Sequence, residues 1–303
     1  MPEPTVVNRP ARRIGPRIRV VELNARGGAR FETLVACLKR HPLHGAGLIM
    51  LCEADVGMKR SDRRSVAAEL AERMEMSYAF IPEWFTVDES GKIVKQIGNA
   101  ILSASPVENV EAVALPFVAT TSVLWSSSLR EKLRGGFTSL ITSIRFGSSR
   151  LSVGVAHLHS RCDPRSRERQ MAAYMSAFPA SGPAIVAGDL NSTTRELSSI
   201  GGFAGTFADI VVNSGRYRTP IPHEPLFERM FERGFSLEHA NVPARGTFTY
   251  HRFIPRMIRP KLDWIAVRDL RAVAGTAAVI PPRRSPFDIR ASDHDFITAE
   301  IEL

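Results

Sequence analysis

The chain has 303 residues but only three cysteines, Cys37, Cys52 and Cys162, and no Cys-x-x-Cys pair. An odd number without that spacing argues against a disulfide framework and against a zinc–thiolate site, and it fits a reducing compartment. Cys37 and Cys52 lie inside apolar runs, which is typical of core residues. Any chemistry is therefore expected from other side chains.

Long hydrophobic runs are also missing. No apolar stretch is long enough to span a bilayer, and the first residues carry Pro and Arg without the apolar segment of a signal peptide. We therefore expect a cytoplasmic protein without stable membrane insertion. No internal repeat, low-complexity tract or linker divides the chain. We expect a flexible leader over residues 1–16 and a single domain over residues 17–303.

The composition is that of a globular protein with a sizeable core, with 44% hydrophobic and 23% charged residues. The formal net charge is +9. A basic excess favours an anionic partner, which could be nucleic acid, a phosphorylated small molecule or an acidic membrane surface. The alternative is that the excess charge only solvates one face. Charge alone does not separate these two interpretations.

Apolar runs and helical spacing alternate along the chain. Strands are predicted at 18–24, 47–53, 78–81, 99–103, 110–115, 137–146, 151–157, 184–189, 262–267, 271–279 and 296–303. Helices are predicted at 31–40, 64–75, 164–178 and 224–233. Strands and helices in this order, with extra β-hairpins between them, predict an α/β four-layer sandwich of two packed mixed or antiparallel β-sheets flanked by helices.

Several of these strands end in a polar residue. The positions are Asn24, Glu53, His157, Asp189, Asn191 and Asp263. Polar groups at the ends of hydrophobic strands are where α/β enzymes usually build their sites. Asp189 and Asn191 are two residues apart, so on an extended backbone they point the same way. The pair could act on a water and on a developing oxyanion together.

Seven short motifs occur in a fixed order. They are Glu22-Leu23-Asn24, Leu51-Cys52-Glu53, Gly98 to Ser103, Ala156-His157-Leu158, Gly188-Asp189-Leu190-Asn191, Lys261 to Ile265 and Ser292-Asp293-His294. The ordered set resembles the endonuclease/exonuclease/phosphatase superfamily, which has the deoxyribonuclease I-like fold, over about Ile18 to Leu303. The resemblance implies a monomeric hydrolase of phosphate esters that depends on Mg²⁺ or Mn²⁺.

The resemblance also implies a metal site. Glu53 matches the family's metal-binding glutamate, and a hard cation prefers such oxygen ligands. Asn24 matches the asparagine beside the metal. Asp293 is similar to a residue that helps to hold metal in some members. The alternative interpretation of Asn24 is that it only forms a turn.

The catalytic residues implied by the resemblance are five. Asp189 corresponds to the aspartate that aligns or deprotonates the attacking water, and Asn191 would donate to phosphoryl oxygens. His294 would donate to them in its protonated form, with Asp263 orienting the ring and raising its pKa. His157 matches the second family histidine.

The second histidine has an alternative. Leu158-His159-Ser160 also matches a family context for this histidine. His157 is favoured because the segment from Arg167 to Gln170 follows it at the spacing of members with Thr-His-Leu. Ala156 stands in place of that threonine.

The substrate is less constrained than the reaction. The segment from Asn241 to Leu262 has five basic residues, no acidic one and interleaved aromatic rings, which suits nucleic acid but also an anionic lipid surface or a plain basic hairpin. Arg252 in this segment, Asn99 and Trp264 are the predicted substrate contacts, although Trp264 also fits core packing. We expect a nuclease that cleaves phosphodiester bonds. A phospholipid or inositol-phosphate hydrolase and a non-catalytic scaffold are the alternatives.

Overall fold

The structure, a computed structural model, describes residues 2–10, 15–116, 134–146, 149–195, 202–249, 255 and 258–302. Its helices in these ranges are α1 Phe31–Leu38, α2 Val66–Met74, α3 Pro164–Ala177, α4 Gly202–Val212, α5 Ser214–Arg218 and α6 Leu226–Glu232. Short 3-10 turns lie at Lys59–Ser61 and Ile221–His223. None of the helices in the described ranges combines the length and the apolar character needed to cross a membrane.

The described strands number fourteen. They are β1 Thr5–Val7, β2 Arg17–Gly27, β3 Leu48–Val56, β4 Ser77–Val87, β5 Ile93–Ser103, β6 Glu108–Ala114, β7 Arg134–Gly135, β8 Thr138–Phe146, β9 Ser149–His157, β10 Ala184–Asp189, β11 Asp263–Arg268, β12 Arg271–Ala272, β13 Ala278–Ile280 and β14 Phe296–Glu302.

The strands form two sheets. The first has the order β1-β4-β5-β3-β2-β14-β12, with β13 paired to β14 and β7 paired to β4. The second has the order β11-β10-β9-β8-β6. The pairs β2–β3 and β9–β10 are parallel, and the remaining pairs are antiparallel. Both sheets are therefore mixed.

The two sheets pack face to face around an apolar layer. Val20 and Met50 of the first sheet and Val153 and Ile185 of the second belong to this core. Helices α1 and α2 cover the outer face of the first sheet, and α3 and α6 cover the outer face of the second. Burial of both faces explains why β3 and β10 are continuous apolar runs rather than alternating ones. The predicted four-layer α/β sandwich is confirmed.

Some element boundaries differ from the predicted ones. Strand β4 continues well past the predicted end at Ile81, because Pro82 stays in the sheet opposite Gly98. A Cβ on Gly98 would lie 2.0 Å from the Ile81 carbonyl oxygen, so only glycine allows this approach. The single strand predicted over 271–279 is two short strands, and Gly275 at φ +79° lies in the turn between them.

The N-terminal segment pairs with the first sheet. Strand β1 runs antiparallel to β4, with Val6 opposite Ala79. Asn8 adds a two-way contact, since its Nδ2 donates to the Val107 carbonyl at 3.0 Å and its Oδ1 accepts from the Val107 N–H at 2.8 Å. The expectation of a flexible leader over residues 1–16 did not include this pairing. The division into leader and single domain stays a prediction.

Candidate active site

The strand register brings the polar residues to one edge of the second sheet. Asp189 at the end of β10 lies opposite His157 at the end of the parallel strand β9, and opposite Asp263 at the start of the antiparallel strand β11. Gly188 has φ +153°, and a Cβ there would lie 1.9 Å from the Ala156 carbonyl oxygen. The glycine of Gly-Asp-x-Asn is thus required by the close approach of β9.

One buried imidazole is paired with Asp263. His294 Nδ1 lies 2.9 Å from both carboxylate oxygens of Asp263, and both side chains are buried. Burial lowers the pKa of His294, but the nearby carboxylates of Asp263 and Asp189 outweigh that effect and hold the pKa well above its usual value. The ring of Phe248 lies 4.8 Å from the imidazole. The imidazole is therefore a cation at neutral pH, with its Nε2 edge 3.6 Å from Asp189 Oδ2.

The second buried imidazole is also paired with a carboxylate through its Nδ1 atom. His157 Nδ1 lies 3.0 Å from Glu83 Oε2. Burial lowers the pKa of His157, whereas the carboxylates of Glu83, Asp189 and Glu53 outweigh it and raise the pKa to about 10. Its Nε2 lies 3.8 Å from Asp189 Oδ2 and 4.0 Å from Glu53 Oε1. His157 is also protonated at neutral pH.

Glu83 is a residue that the sequence reasoning missed. The predicted strand stopped before Pro82, so this buried carboxylate was assigned no place in the sheet. A carboxylate between a buried strand and a tryptophan was the available signal. Glu83 also explains the position of Asn99, whose Nδ2 donates to Glu83 Oε1 at 3.1 Å and to the Thr138 carbonyl at 2.7 Å. Asn99 lies behind the His157–Glu83 pair, where it is fully buried.

Asp189 lies between the two imidazoles. Burial raises the pKa of Asp189 to about 6, and Asp263 adds to this, while the two imidazoles oppose it. Asn24 Nδ2 donates to Asp189 Oδ2 at 3.0 Å and to Glu53 Oε1 at 3.2 Å. One carboxylate oxygen therefore faces two N–H edges and an amide. Such an arrangement suits a group that receives a proton from a bound water.

Asn191 begins the loop after β10 in the left-handed conformation, with φ +47°. Its backbone N–H donates to Asp189 Oδ1 at 3.1 Å, and its Nδ2 donates to the Leu158 carbonyl at 2.8 Å. The loop is supported from outside by Glu224, which accepts from the Thr194 N–H at 2.6 Å and pairs with the buried Arg167. This network fixes the direction of the Asn191 side chain.

Two of the three residues expected at the metal, Glu53 and Asp293, lie at the outer side of the cluster, whereas Asn24 is buried within it. Glu53 has φ +53° and a side chain 29% exposed, and the Asp293 side chain is 27% exposed. The Arg60 guanidinium pairs with the buried Asp55, and the nearby carboxylates of Asp55, Glu53 and Asp293 raise its pKa. Oxygen donors on an accessible rim fit a hard divalent cation.

A second set of ligand atoms lies deeper. Asp189, Asp263 and His294 each offer one atom within 4.8 Å of the others. In the structure the Asp263–His294 bond uses Nδ1 of the imidazole. A metal ligand must be a neutral imidazole, so binding here would displace the proton that the two carboxylates hold on the ring. The accessible rim at Glu53 is therefore the better candidate for the cation.

The structure separates the two histidines that the sequence left open. His157 faces Glu53 and Asp189, whereas the ring of His159 lies against Phe137 at 4.7 Å. Burial lowers the pKa of His159 to about 4, and the cationic His157 adds to this. His159 is thus uncharged at neutral pH and lies outside the carboxylate cluster.

Among the predicted substrate contacts, Asn99 is buried behind the His157–Glu83 pair, and Trp264 is not brought to the cluster. Trp264 is 3% exposed, packs edge-on against Phe227 and donates from Nε1 to Ser192 Oγ at 2.9 Å. It belongs to the core under helices α3 and α6, because alternate residues of a strand face opposite sides of the sheet. The prediction for Trp264 is corrected to a core position. Arg252 lies outside the described residues.

Two basic residues shortly before β11 are less exposed than the sequence suggested. Lys261 and Arg259 are both buried. The Lys261 ammonium donates to the Val242 carbonyl at 2.9 Å and lies 4.0 Å from the Trp264 ring centre. Burial lowers the pKa of Lys261 to about 7. These two residues support the chain that leads to Asp263, and they do not form a surface for an anion.

Glu22 is a second buried carboxyl group; it belongs to one of the sequence motifs but was assigned no role there. It lies two residues before Asn24, on the intersheet face of β2, and is fully buried. Neither carboxyl oxygen has a hydrogen-bond partner in the described part of the chain. Burial holds the pKa of Glu22 well above its usual value, and the carboxylates of Asp263 and Asp189 add to this. The neutral acid is therefore the form that the fold favours.

This carboxyl gives a stability prediction for the metal-free protein. A carboxyl whose folded pKa is raised binds more protons in the native than in the unfolded state, so its contribution to stability falls as the pH rises above its unfolded pKa. Glu22→Gln, which never ionises, should unfold like the wild type near pH 4 and be more stable at pH 8, by about 1 kcal/mol or more. Urea unfolding in EDTA at several pH values measures this. Exposed Glu228→Gln is the control, and a gap that does not grow with pH would contradict the explanation.

The sequence also matches a known protein family. Residues 21–294 match the Endonuclease/Exonuclease/phosphatase family, so the chain belongs to that family. Membership supports a phosphoric ester hydrolase. No curated protein matches this chain in sequence.

Solved structures share the fold at low sequence identity. The endonuclease/exonuclease/phosphatase from Beutenbergia cavernae has a TM-score of 0.61 and 17% identity, covering 95% of this chain and 72% of that one. D. rerio TDP2 complexed with single strand DNA product has a TM-score of 0.56 and 16% identity, covering 95% and 99%. The human nocturnin catalytic domain with bound sulfate has a TM-score of 0.55 and 15% identity, covering 99% and 96%. These likenesses concern the fold.

Proposed function

We propose that this protein is a divalent-metal-dependent phosphodiesterase that cleaves nucleic acid. One observation carries the proposal: two imidazoles, each backed by a carboxylate, turn their Nε2 edges toward the same oxygen of Asp189, at 3.8 and 3.6 Å. Two fixed N–H donors around one proton acceptor suit a reaction in which water attacks phosphorus and negative charge grows on the phosphoryl oxygens.

In the proposed reaction Asp189 orients a water and takes its proton as the oxygen–phosphorus bond forms. His157 and His294, as imidazolium ions, donate hydrogen bonds to the phosphoryl oxygens, and Glu83 and Asp263 keep the rings charged and aligned. The bond from phosphorus to the leaving alcohol oxygen then breaks, that oxygen takes up one proton from solvent, and Asp189 releases the proton that it received. Each imidazole is fixed through Nδ1 by its carboxylate, so little reorganisation is needed during the reaction.

Asn191 would contribute a further hydrogen bond. A carboxamide nitrogen carries two N–H groups, and one of them donates to the Leu158 carbonyl. That contact fixes the amide and leaves the other N–H for a phosphoryl oxygen. Asn24 bridges the carboxylates of Asp189 and Glu53 by donating to both. We therefore assign Asn24 a positioning role beside the metal.

We infer that Glu53 and Asp293 hold Mg²⁺ or Mn²⁺ at the outer rim. When bound, the cation would neutralise charge on the phosphoryl group and on the leaving oxygen. The Arg60 guanidinium lies near both carboxylates, and the Arg26 Nε lies 3.4 Å from Asp293 Oδ2. Both add positive charge on the side where a phosphate would enter.

Nucleic acid is the favoured substrate because of charge and precedent. The chain has a net charge of +9, and the structural neighbour D. rerio TDP2 is complexed with single strand DNA product. A phospholipid substrate is the second candidate. It is favoured by Phe287 and Ile289, which are 98% and 65% exposed on the loop that leads into Ser292. Asp288 between them would lose its hydration if the loop entered a lipid layer, which disfavours this candidate.

A panel of phosphate esters separates these candidates. Plasmid, single-stranded DNA, RNA, phosphoinositides and sphingomyelin are each incubated with Mg²⁺, Mn²⁺ or EDTA. We expect cleavage of at least one nucleic acid with metal and none with EDTA. Release of phosphate or phosphocholine, with every nucleic acid intact, would replace the proposal by the lipid candidate. A protein that binds no metal and cleaves nothing would be a scaffold.

A further inference from the structure

Three aromatic rings lie together on one side of the buried imidazole of His157. The Phe137 ring centre is 5.8 Å from Trp84, with the rings nearly perpendicular, and 4.7 Å from His159, with the rings tilted by 37°. It is also 5.9 Å from the His157 ring. His157 is buried, whereas Trp84, Phe137 and His159 are all partly exposed. We call these three residues the aromatic platform; it connects the catalytic cluster with the surface.

The platform is held by the elements that form the active site. Trp84 follows Glu83 on β4 and pairs in the sheet with Gly135 of β7, which brings Phe137 beside it. His159 follows the end of β9 by two residues, and its N–H donates to the side-chain oxygen of Gln170 at 3.0 Å. The rings therefore do not depend on a bound ligand for their arrangement.

His159 contributes an uncharged ring to the platform. Its Nδ1 accepts a hydrogen bond from the Arg161 N–H at 3.0 Å, which requires an unprotonated nitrogen at that position. The lowered pKa agrees with this state. A neutral imidazole tilted over Phe137 presents a flat π surface, whereas a charged imidazolium would attract water and anions instead.

We propose that Trp84, Phe137 and His159 stack a nucleobase of the substrate beside the scissile phosphate. The inference rests on the proposed nuclease function and adds that the bases next to the cleaved bond are recognised by stacking. Every nucleobase has a flat face, so stacking holds the strand without reading its sequence. A base in this position must be unpaired, which predicts a preference for single-stranded or frayed nucleic acid.

The surroundings of the platform fit a nucleic-acid strand better than a lipid headgroup. Arg134 and Arg161 lie in the segments that carry Phe137 and His159, and both are exposed. Cationic side chains beside aromatic rings provide the pairing of phosphate and base contacts found in proteins that bind single strands. Choline and inositol headgroups contain no flat ring for Phe137 to stack upon.

The test uses a short single-stranded oligonucleotide with one preferred cleavage site and two versions lacking the base on either side of that site. Removing the stacked base should lower kcat/KM of the wild type by about 10-fold or more at one of the two positions. Phe137→Leu should lower kcat/KM on the intact oligonucleotide by a similar factor and lose little more when the base is absent. The two losses are therefore expected to be coupled rather than additive.

Matched variants keep the result interpretable. Phe85 follows Trp84 on β4, so its side chain lies on the face of the strand opposite to that of Trp84. Phe85→Leu is therefore the control and should retain the wild-type response to base removal. Phe137→Tyr keeps an aromatic ring and should therefore have a kcat/KM close to that of the wild type. If Phe137→Leu unfolds, His159→Leu should show the same loss of kcat/KM in its place. Equal sensitivity of wild type and both platform variants to base removal would overturn the inference. A wild type that cleaves no nucleic acid at all would instead overturn the proposed function, and the platform with it.

Discussion

Asp189→Asn should lower kcat for phosphodiester hydrolysis by about 10²- to 10⁴-fold, the range typical for loss of a general base. Asparagine has the same shape and can still accept the hydrogen bond that Asn24 donates to Oδ2 at 3.0 Å. It cannot take a proton from water. Steady-state kinetics at saturating metal measures the effect, and KM is expected to change little.

The fold should survive this substitution. Asp189 is buried, and its raised pKa means that the surroundings as a whole disfavour its charged form, so removing the charge should not reduce the free energy of unfolding. Asp269→Asn is the matched control, because it changes an exposed aspartate directly after the far end of the strand that pairs with β10. Asp189→Asn with kcat within a few-fold of wild type would remove Asp189 from the mechanism.

His294→Ala should lower kcat by about 10²- to 10³-fold, as expected for one hydrogen-bond donor to a developing oxyanion. The variant loses the N–H edge that faces Asp189 at 3.6 Å, and it leaves Asp263 buried without its partner. The second consequence is a loss of stability of about 1–3 kcal/mol. Kinetics at a temperature well below the unfolding transition separates the two effects.

Two further variants test whether the loss in kcat comes from the charged imidazole itself. Asp263→Asn keeps the imidazole but removes the charge that holds its proton, so we expect part of the loss in kcat, largest at high pH. His239→Ala removes an exposed histidine and should leave kcat unchanged. An active His294→Ala protein would contradict the assignment of this imidazole as a donor.

The class of fold and most of the cluster could be predicted from the sequence because apolar runs and ordered motifs mark the strands and their polar ends. Apolar runs that end in Asn24, His157 and Asp189 predict buried strands, and the register of β9 with β10 brings two of these polar ends side by side. The side-chain periodicity of a strand then fixes which face each residue takes. The ordered motifs added Asp263 and His294 from distant parts of the chain.

Glu83 could not be placed from the sequence because its position depends on how two strands approach each other. Pro82 suggested the end of a strand, yet it continues the sheet opposite Gly98 with a register shift before Trp84. Local propensity carries no information about that tertiary pairing. The partner of His157 therefore became visible only in the structure.

Burial of charged residues was the other feature beyond the reach of sequence patterns. Lys261 looked like part of a basic surface, but it lies over the Trp264 ring and contacts a backbone carbonyl. Glu22 is a charged residue in a strand, where an exposed position is usual, yet its side chain is buried in the layer between the two sheets. Both positions break the usual pattern of apolar cores, and such exceptions are common beside functional sites.

Hydrolysis of bis-p-nitrophenyl phosphate in ¹⁸O-labelled water tests the central claim most directly. The claim is that Asp189 acts as the general base for a water that attacks phosphorus, in a cluster that also holds a divalent cation. We predict release of p-nitrophenol with Mg²⁺ or Mn²⁺, no release with EDTA, and one ¹⁸O atom in the p-nitrophenyl phosphate product. With Asp189→Asn, release should be slower by about 10²- to 10⁴-fold. Hydrolysis that is equally fast in EDTA, or in the Asp189→Asn protein, would contradict the account.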